Sequence, residues 1–223
     1  QTDLLLHYAK ELGANAASLR QDRRALKRWF GIDALGDRFA RAQAHAERDL
    51  TLALRQLGQL GARFLAAPAS SADGALLRWR ELGLEATVLP LFAHIGNVQV
   101  RIDAFVCLAT ALGSLPRAQQ EGALGAQALQ YIYRSALDAG LNVWMQCAAL
   151  KLLQSLSPAN FVTVATKRLR APQAGDDLFV RRRIVDVLVA QISDPAELGA
   201  LLRVAASDPS PHVRQGVATS LSA

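Results

Sequence analysis

A two-residue signature recurs along the C-terminal two-thirds of the chain, and that recurrence limits the fold more than any other feature. Val100-Arg101, Val180-Arg181 and Val213-Arg214 each open an apolar stretch, with small or apolar residues four, five and eight positions on. These are Ala104, Phe105 and Leu108; Ile184, Val185 and Leu188; and Val217, Ala218 and Leu221. Trp144-Met145, followed by Ala148, Ala149 and Leu152, fits the same frame with Met in place of Arg. Successive starts lie 44, 36 and 33 residues apart, and a second helix-patterned stretch precedes each: Leu84–His94, Ala123–Ala139, Ala159–Leu169 and Ala196–Ala206. A two-helix unit cannot bury its apolar face alone and must stack on copies of itself. The pattern predicts about four helical hairpins.

Punctuation and composition agree. Pro68, Pro116, Pro158, Pro172, Pro195, Pro209 and Pro211 fall between apolar-periodic stretches, where helices should start or stop; only Pro90 lies inside one. With 41 Ala and 37 Leu among 223 residues, and few β-branched or aromatic strand formers, the class is all-α. Residues 1–66 lack the repeat. They read as short helices over Asp3–Leu12 and Ala16–Phe30, then one long helix from Ala34 to Ala66, with Gly58 or Gly61 as points where it could break. Such a long helix needs a partner surface, either the first repeat or another molecule. The polar run 67–74 reads as a linker, dividing an N-terminal helical region (1–66) from the repeats (75–223).

The stretch from Asp194 to Leu221 resembles a HEAT repeat: a first helix, an Asp-containing turn, and a second helix beginning Val-Arg, with Asp208 six residues before Arg214. The looser units share parts of the pattern: Asp176 and Asp177 precede Arg181, and Asn97 precedes Arg101. Pro90 resembles the proline that bends first helices in this family. The resemblance covers about residues 80–223. It implies a right-handed α-solenoid of about four HEAT-like hairpins with an N-terminal helical extension. It also implies an Asp–Arg ladder tying neighbouring repeats, and second helices that line a concave face.

On that implied face the expected partner-binding residues are Arg101, Asp103, Arg182, Asp186 and Gln215. The function expected is a non-enzymatic scaffold for protein–protein interaction, its partner another protein or another domain of a longer chain. That the chain stops at Leu221-Ser-Ala, inside an expected second helix, suggests continuation or a covered end. The competing expectation is nucleic-acid binding. Arg20, Arg24, Lys27 and Arg28 recur at three and four residues, so they share a helix face, with Trp29 and Phe30 directly after them. Arg181, Arg182 and Arg183 form a second cluster, near Lys167, Arg168 and Arg170. The net charge of +6 favours acidic partners of either kind.

Catalysis finds less footing. One family of alkyl-base DNA glycosylases is built from HEAT-like repeats, with tryptophans around a catalytic Asp. Asp103, Asp186 and Trp144 are the residues to weigh for such a role, though no Trp-plus-Asp motif of that family maps onto this sequence. His7, His45, His94 and His212 are scattered singly, and no phosphate-binding glycine motif occurs, so no metal or cofactor is expected. Cys107 and Cys147 lie in apolar surroundings without CxxC spacing, which suits buried core thiols in a reducing cytoplasm. The apolar runs are too short to span a membrane, and no charged-then-apolar leader follows Gln1.

Overall fold

The computed structural model describes residues 6, 7, 9–11, 14, 18, 21, 34–67, 74–94, 97–120, 122–170, 178–192 and 195–221. Among these, every regular element is a helix. They are α1 (Ala34–Ala66), α2 (Gly74–Leu82), α3 (Leu84–His94), α4 (Val98–Leu112), α5 (Arg117–Gln120), α6 (Ala126–Leu137), α7 (Val143–Leu156), α8 (Pro158–Arg170), α9 (Leu178–Gln191), α10 (Pro195–Ala206) and α11 (Pro211–Leu221). Pro158, Pro195 and Pro211 each occupy the first helical position, where the missing N–H costs nothing and the fixed φ suits the turn. The chain forms two compact units, Gln1–Gly125 and Ala126–Ala223. Residues 67–74 fall by number within the first unit, in which α1 packs on α4.

The first unit is organised by that α1–α4 contact. Leu50, Ala53, Leu54, Leu57 and Leu65 recur at helical spacing on α1 and are all buried. The helix runs unbroken for 33 residues, and its glycines serve contact instead of a break. A Cβ on Gly58 would stand 3.0 Å from the Cys107 Cα, and one on Gly61 would stand 3.2 Å from Ala111 Cβ and Leu82 Cδ2. Phe92 of α3 stacks on Phe105 of α4 with ring centroids 4.5 Å apart. Asn97 caps α4, its side chain accepting from the backbone N–H of Gln99 and Val100. Gly83, at φ 62°, makes the left-handed turn between α2 and α3. The indole of buried Trp79 donates to the Ala123 carbonyl at 2.7 Å.

In the second unit each helix packs on the next and also on the next but one: α6 on α7 and α8, α7 on α8 and α9, α8 on α9 and α10, α9 on α10 and α11. The Val-Arg frame places Val180 and Val213 in the core with no exposure, as it does Val100 in the first unit. At α7 the frame is displaced by one residue. Met145, Ala149, Leu152, Leu153 and Leu156 are buried, whereas Trp144, in the position of the other units' valine, is 70% exposed. Along α11 the apolar face ends early, with Val213, Gly216 and Val217 buried but Leu221 exposed.

Candidate functional site

A one-residue register difference at α7 creates the most chemically distinctive surface of the second unit. Asn142 caps α7, its side-chain oxygen accepting from the Trp144 N–H at 3.0 Å, and so fixes where the first turn begins. With Met145 taking the core position, the indole of Trp144 is directed outward. Phe179, the second residue of α9, is also turned out and is 65% exposed. The two rings line one groove of about 610 Å³ between α7 and α9, together with Val143, Cys147, Arg182, Arg183 and Asp186. Phe179, Arg182, Arg183 and Asp186 follow one another at three, four and seven residues, so they project from one face of α9.

The polar groups of this groove are held in place. Arg182 Nε donates to Asp186 Oδ1 at 2.9 Å, one turn on, and Arg182 Nη1 donates to the His212 carbonyl at 3.0 Å. The arginine stem crosses α11 at Gly216, where a Cβ would come within 2.5 Å of Arg182 Cδ. Arg183 is exposed. Adjoining the groove through Cys147 and Arg183 is a narrow slot of about 10 Å³, walled by Leu150, Phe161, Ile184 and Val187 and rimmed by Lys151 and Gln154. That volume matches a single water, so the slot can accept no more than the tip of a side chain.

A second cleft, of about 620 Å³, lies between α8 and α10, lined by Leu169, Arg170, Ala200, Arg203 and Ser207 among others. Size therefore does not rank the two. Lining does: Arg170 and Arg203 sit in the last turns of their helices, where a cation is favoured by the carbonyl ends of the macrodipole, and no aromatic ring accompanies them.

The residues singled out from sequence fall into several environments. Arg182 and Asp186 lie in the α7–α9 groove and pair with each other. Gln215 is exposed on α11, and Arg101 is half-buried on α4. Asp103 departs from the expectation of an open face. It is 3% exposed, and its carboxylate accepts from Arg55 Nε of α1 at 2.9 Å and from Gln99 Nε2 at 2.9 Å. Asp103 thus joins α1 to α4. Arg181 likewise is no surface cation: it is 6% exposed, and its Nε and Nη2 donate to the two carboxylate oxygens of Asp208 at 2.8 and 3.1 Å. Arg214 turns back to the carbonyls of Asp208 and Pro209, at 2.7 and 2.9 Å. Arg20, Arg24, Lys27 and Arg28 lie outside the described residues.

Two features had no counterpart in the sequence reading. Arg168, assigned there to a basic cluster, is 4% exposed and donates to Gln146 Oε1 at 2.7 Å and to the Ala136 carbonyl at 3.3 Å, which joins α8 to α7 and α6. The thiols also differ from each other. Burial and the neighbouring Asp103 charge push Cys107 up to about 12, while Cys147 is only part-buried and opens on the groove. Among the described residues no group of three or more His, Cys, Asp or Glu is placed to hold a metal ion, and no helix is long and apolar enough to cross a membrane. Comparison with protein-family models, with curated proteins and with solved structures returns no match.

Proposed function

We propose that this chain is a non-enzymatic helical-repeat scaffold of HEAT-like α-solenoid type that docks another protein, or another domain of a longer chain, in the α7–α9 groove. The observation that carries the reading is the pair of outward aromatic rings, Trp144 and Phe179, set beside arginines in one groove. Tryptophan and arginine are enriched where protein partners bind tightly, because large rigid rings lose little entropy and arginine offers several directed donors. The next-but-one packing of the second unit supports the repeat reading. So does the buried Arg181–Asp208 pair, which links α9 to the turn before α11 in the manner of a ladder. The acids weighed for catalysis have structural partners, Asp103 in Arg55 and Asp186 in Arg182, which favours a binding role over a base. Cys107 and Cys147 are not joined in a disulfide, which suits a cytoplasmic setting.

The test is panning of a random twelve-residue peptide library on the whole chain and on a Trp144→Ala/Phe179→Ala variant. Peptides enriched on the former and not on the latter are the expected result. No enrichment that depends on the two rings would overturn the docking reading. A second reading rests on the same rings, since exposed aromatics beside cations also stack single-stranded bases. Anisotropy of labelled single-stranded DNA and RNA at low and physiological salt separates the two, as phosphate contacts weaken steeply with salt.

A further inference from the structure

The groove between α7 and α9 carries charge as well as rings, and the balance of that charge selects among partners. Among the described residues, three cations, Lys151, Arg182 and Arg183, stand around the groove and its adjoining slot against one acid, Asp186. The acid is already engaged, at 2.9 Å from Arg182. Arg182 is engaged twice, through Asp186 and through the His212 carbonyl, and Gly216 leaves room for its stem. Apart from that neutral pair, the groove presents Arg183 and the adjoining slot presents Lys151, both exposed. The chain as a whole carries +6, so its wider field has the same sign. A carboxylate entering the groove meets Arg183, with Lys151 at the adjoining slot, and the acid among the described lining residues, Asp186, already has a partner. A lysine or arginine entering it meets like charge.

The apolar part is equally directional. Trp144 and Phe179 offer ring surface above Cys147 and Val143, enough to seat one aromatic or aliphatic side chain. Resting on the docking reading above, we propose that the groove takes a short acidic segment of a partner protein. One apolar anchor of that segment sits between Trp144 and Phe179, and its flanking carboxylates face Arg183 and Lys151. A nucleic-acid strand fits this surface less well. Of the arginine triplet, Arg181 is buried on Asp208 and Arg182 is neutralised by Asp186, which leaves two cations for a polyanion that needs many phosphate contacts.

The peptides recovered by panning on the whole chain test the inference through their composition. Ring-dependent peptides should carry net negative charge and at least one aromatic or large aliphatic residue. The best of them, synthesised with a fluorescent label, should bind a Lys151→Glu/Arg183→Glu variant at least about tenfold more weakly than the native chain. Both side chains are exposed, and unchanged thermal melting checks the fold; a Lys151→Gln/Arg183→Gln variant, expected to lie between, is the second measure. Ring-dependent peptides that are neutral or basic would overturn the acidic-segment inference and leave docking in place. An absence of ring-dependent peptides would remove both. Labelled oligo(dT) of twenty nucleotides that binds through the rings more tightly than any peptide would overturn the inference in favour of a nucleic acid.

Discussion

At the scale of single residues, the second unit depends on charges that are out of water and fully engaged. Burial by itself would raise the Asp208 carboxyl. The hydrogen bonds from Arg181 and from the Ser210 N–H, with the charges of Arg181 and Arg214, outweigh it and hold the group below the usual carboxylate range. A lowered folded-state pKa means that the unfolded chain takes up the proton first. The stabilisation is therefore fully present above about pH 4, the ordinary carboxylate value, and is lost as pH falls through the lowered one. Asp208→Ala removes the carboxylate that accepts two hydrogen bonds from buried Arg181 and should cost about 3–5 kcal/mol in urea unfolding at neutral pH. Asp208→Asn should converge with the native chain as acid removes the native carboxylate, which a series of unfolding curves from pH 7 to pH 2 would show. Cys107 has the opposite sense. Its thiol is held neutral by burial up to about 12, so native protein should give one reactive thiol, Cys147, to a disulfide reagent at pH 8 and two in denaturant. Two equally fast thiols in the native state would contradict the placement of Cys107 against α1.

At the scale of elements, the decisive contact is that of α1 with α4, and its glycines separate two effects that oppose each other. Alanine in place of an interior helical glycine is worth about 1 kcal/mol in propensity. At Gly58 the new Cβ would meet backbone atoms, 3.0 Å from the Cys107 Cα and 3.1 Å from its carbonyl oxygen, and backbone does not yield. Gly58→Ala should therefore destabilise by about 1–3 kcal/mol despite the propensity gain. At Gly61 the nearest atoms are side-chain carbons at 3.2 Å, one of them the end of Leu82, so Gly61→Ala should cost clearly less. Urea midpoints for the two variants check the order, and equal losses would refute the close approach at Cys107. The sequence made the helices legible because proline, glycine and apolar spacing act locally: α1, α3 and α10 run as the pattern predicts. Contacts between elements were less legible. Nothing local to Gly58 distinguishes a helix break from a notch for another helix, and nothing local to Asp103 names Arg55, 48 residues away. The frame at α7 hid the groove for the same reason. Trp144 and Met145 are both apolar, and only packing against neighbouring helices decides which of them enters the core.

At the scale of the whole molecule, the two compact units imply separable stability, and the location of the groove turns that into a functional test. The second unit has its own buried interior, including Ile132, Met145, Leu152, Phe161, Val180 and Leu201, and its own buried ion pair in Arg181 and Asp208. Every residue of the candidate groove, from Val143 to Asp186, and the supports at His212 and Gly216 lie within it. At 98 residues, from Ala126 to Ala223, it falls in the range where a single core can sustain cooperative folding. A fragment of residues 126–223 should accordingly show a helical circular dichroism spectrum and a single sigmoidal melt. It should also bind the ring-dependent peptide within about twofold of the full chain, since the described residues that line the groove are all retained and local affinity follows local structure. Cooperative melting with lost binding would mean that residues 1–125 shape the groove. A gradual, non-cooperative melt would mean that the interior of residues 126–223 is insufficient alone, and that the docking surface depends on the first unit for its stability.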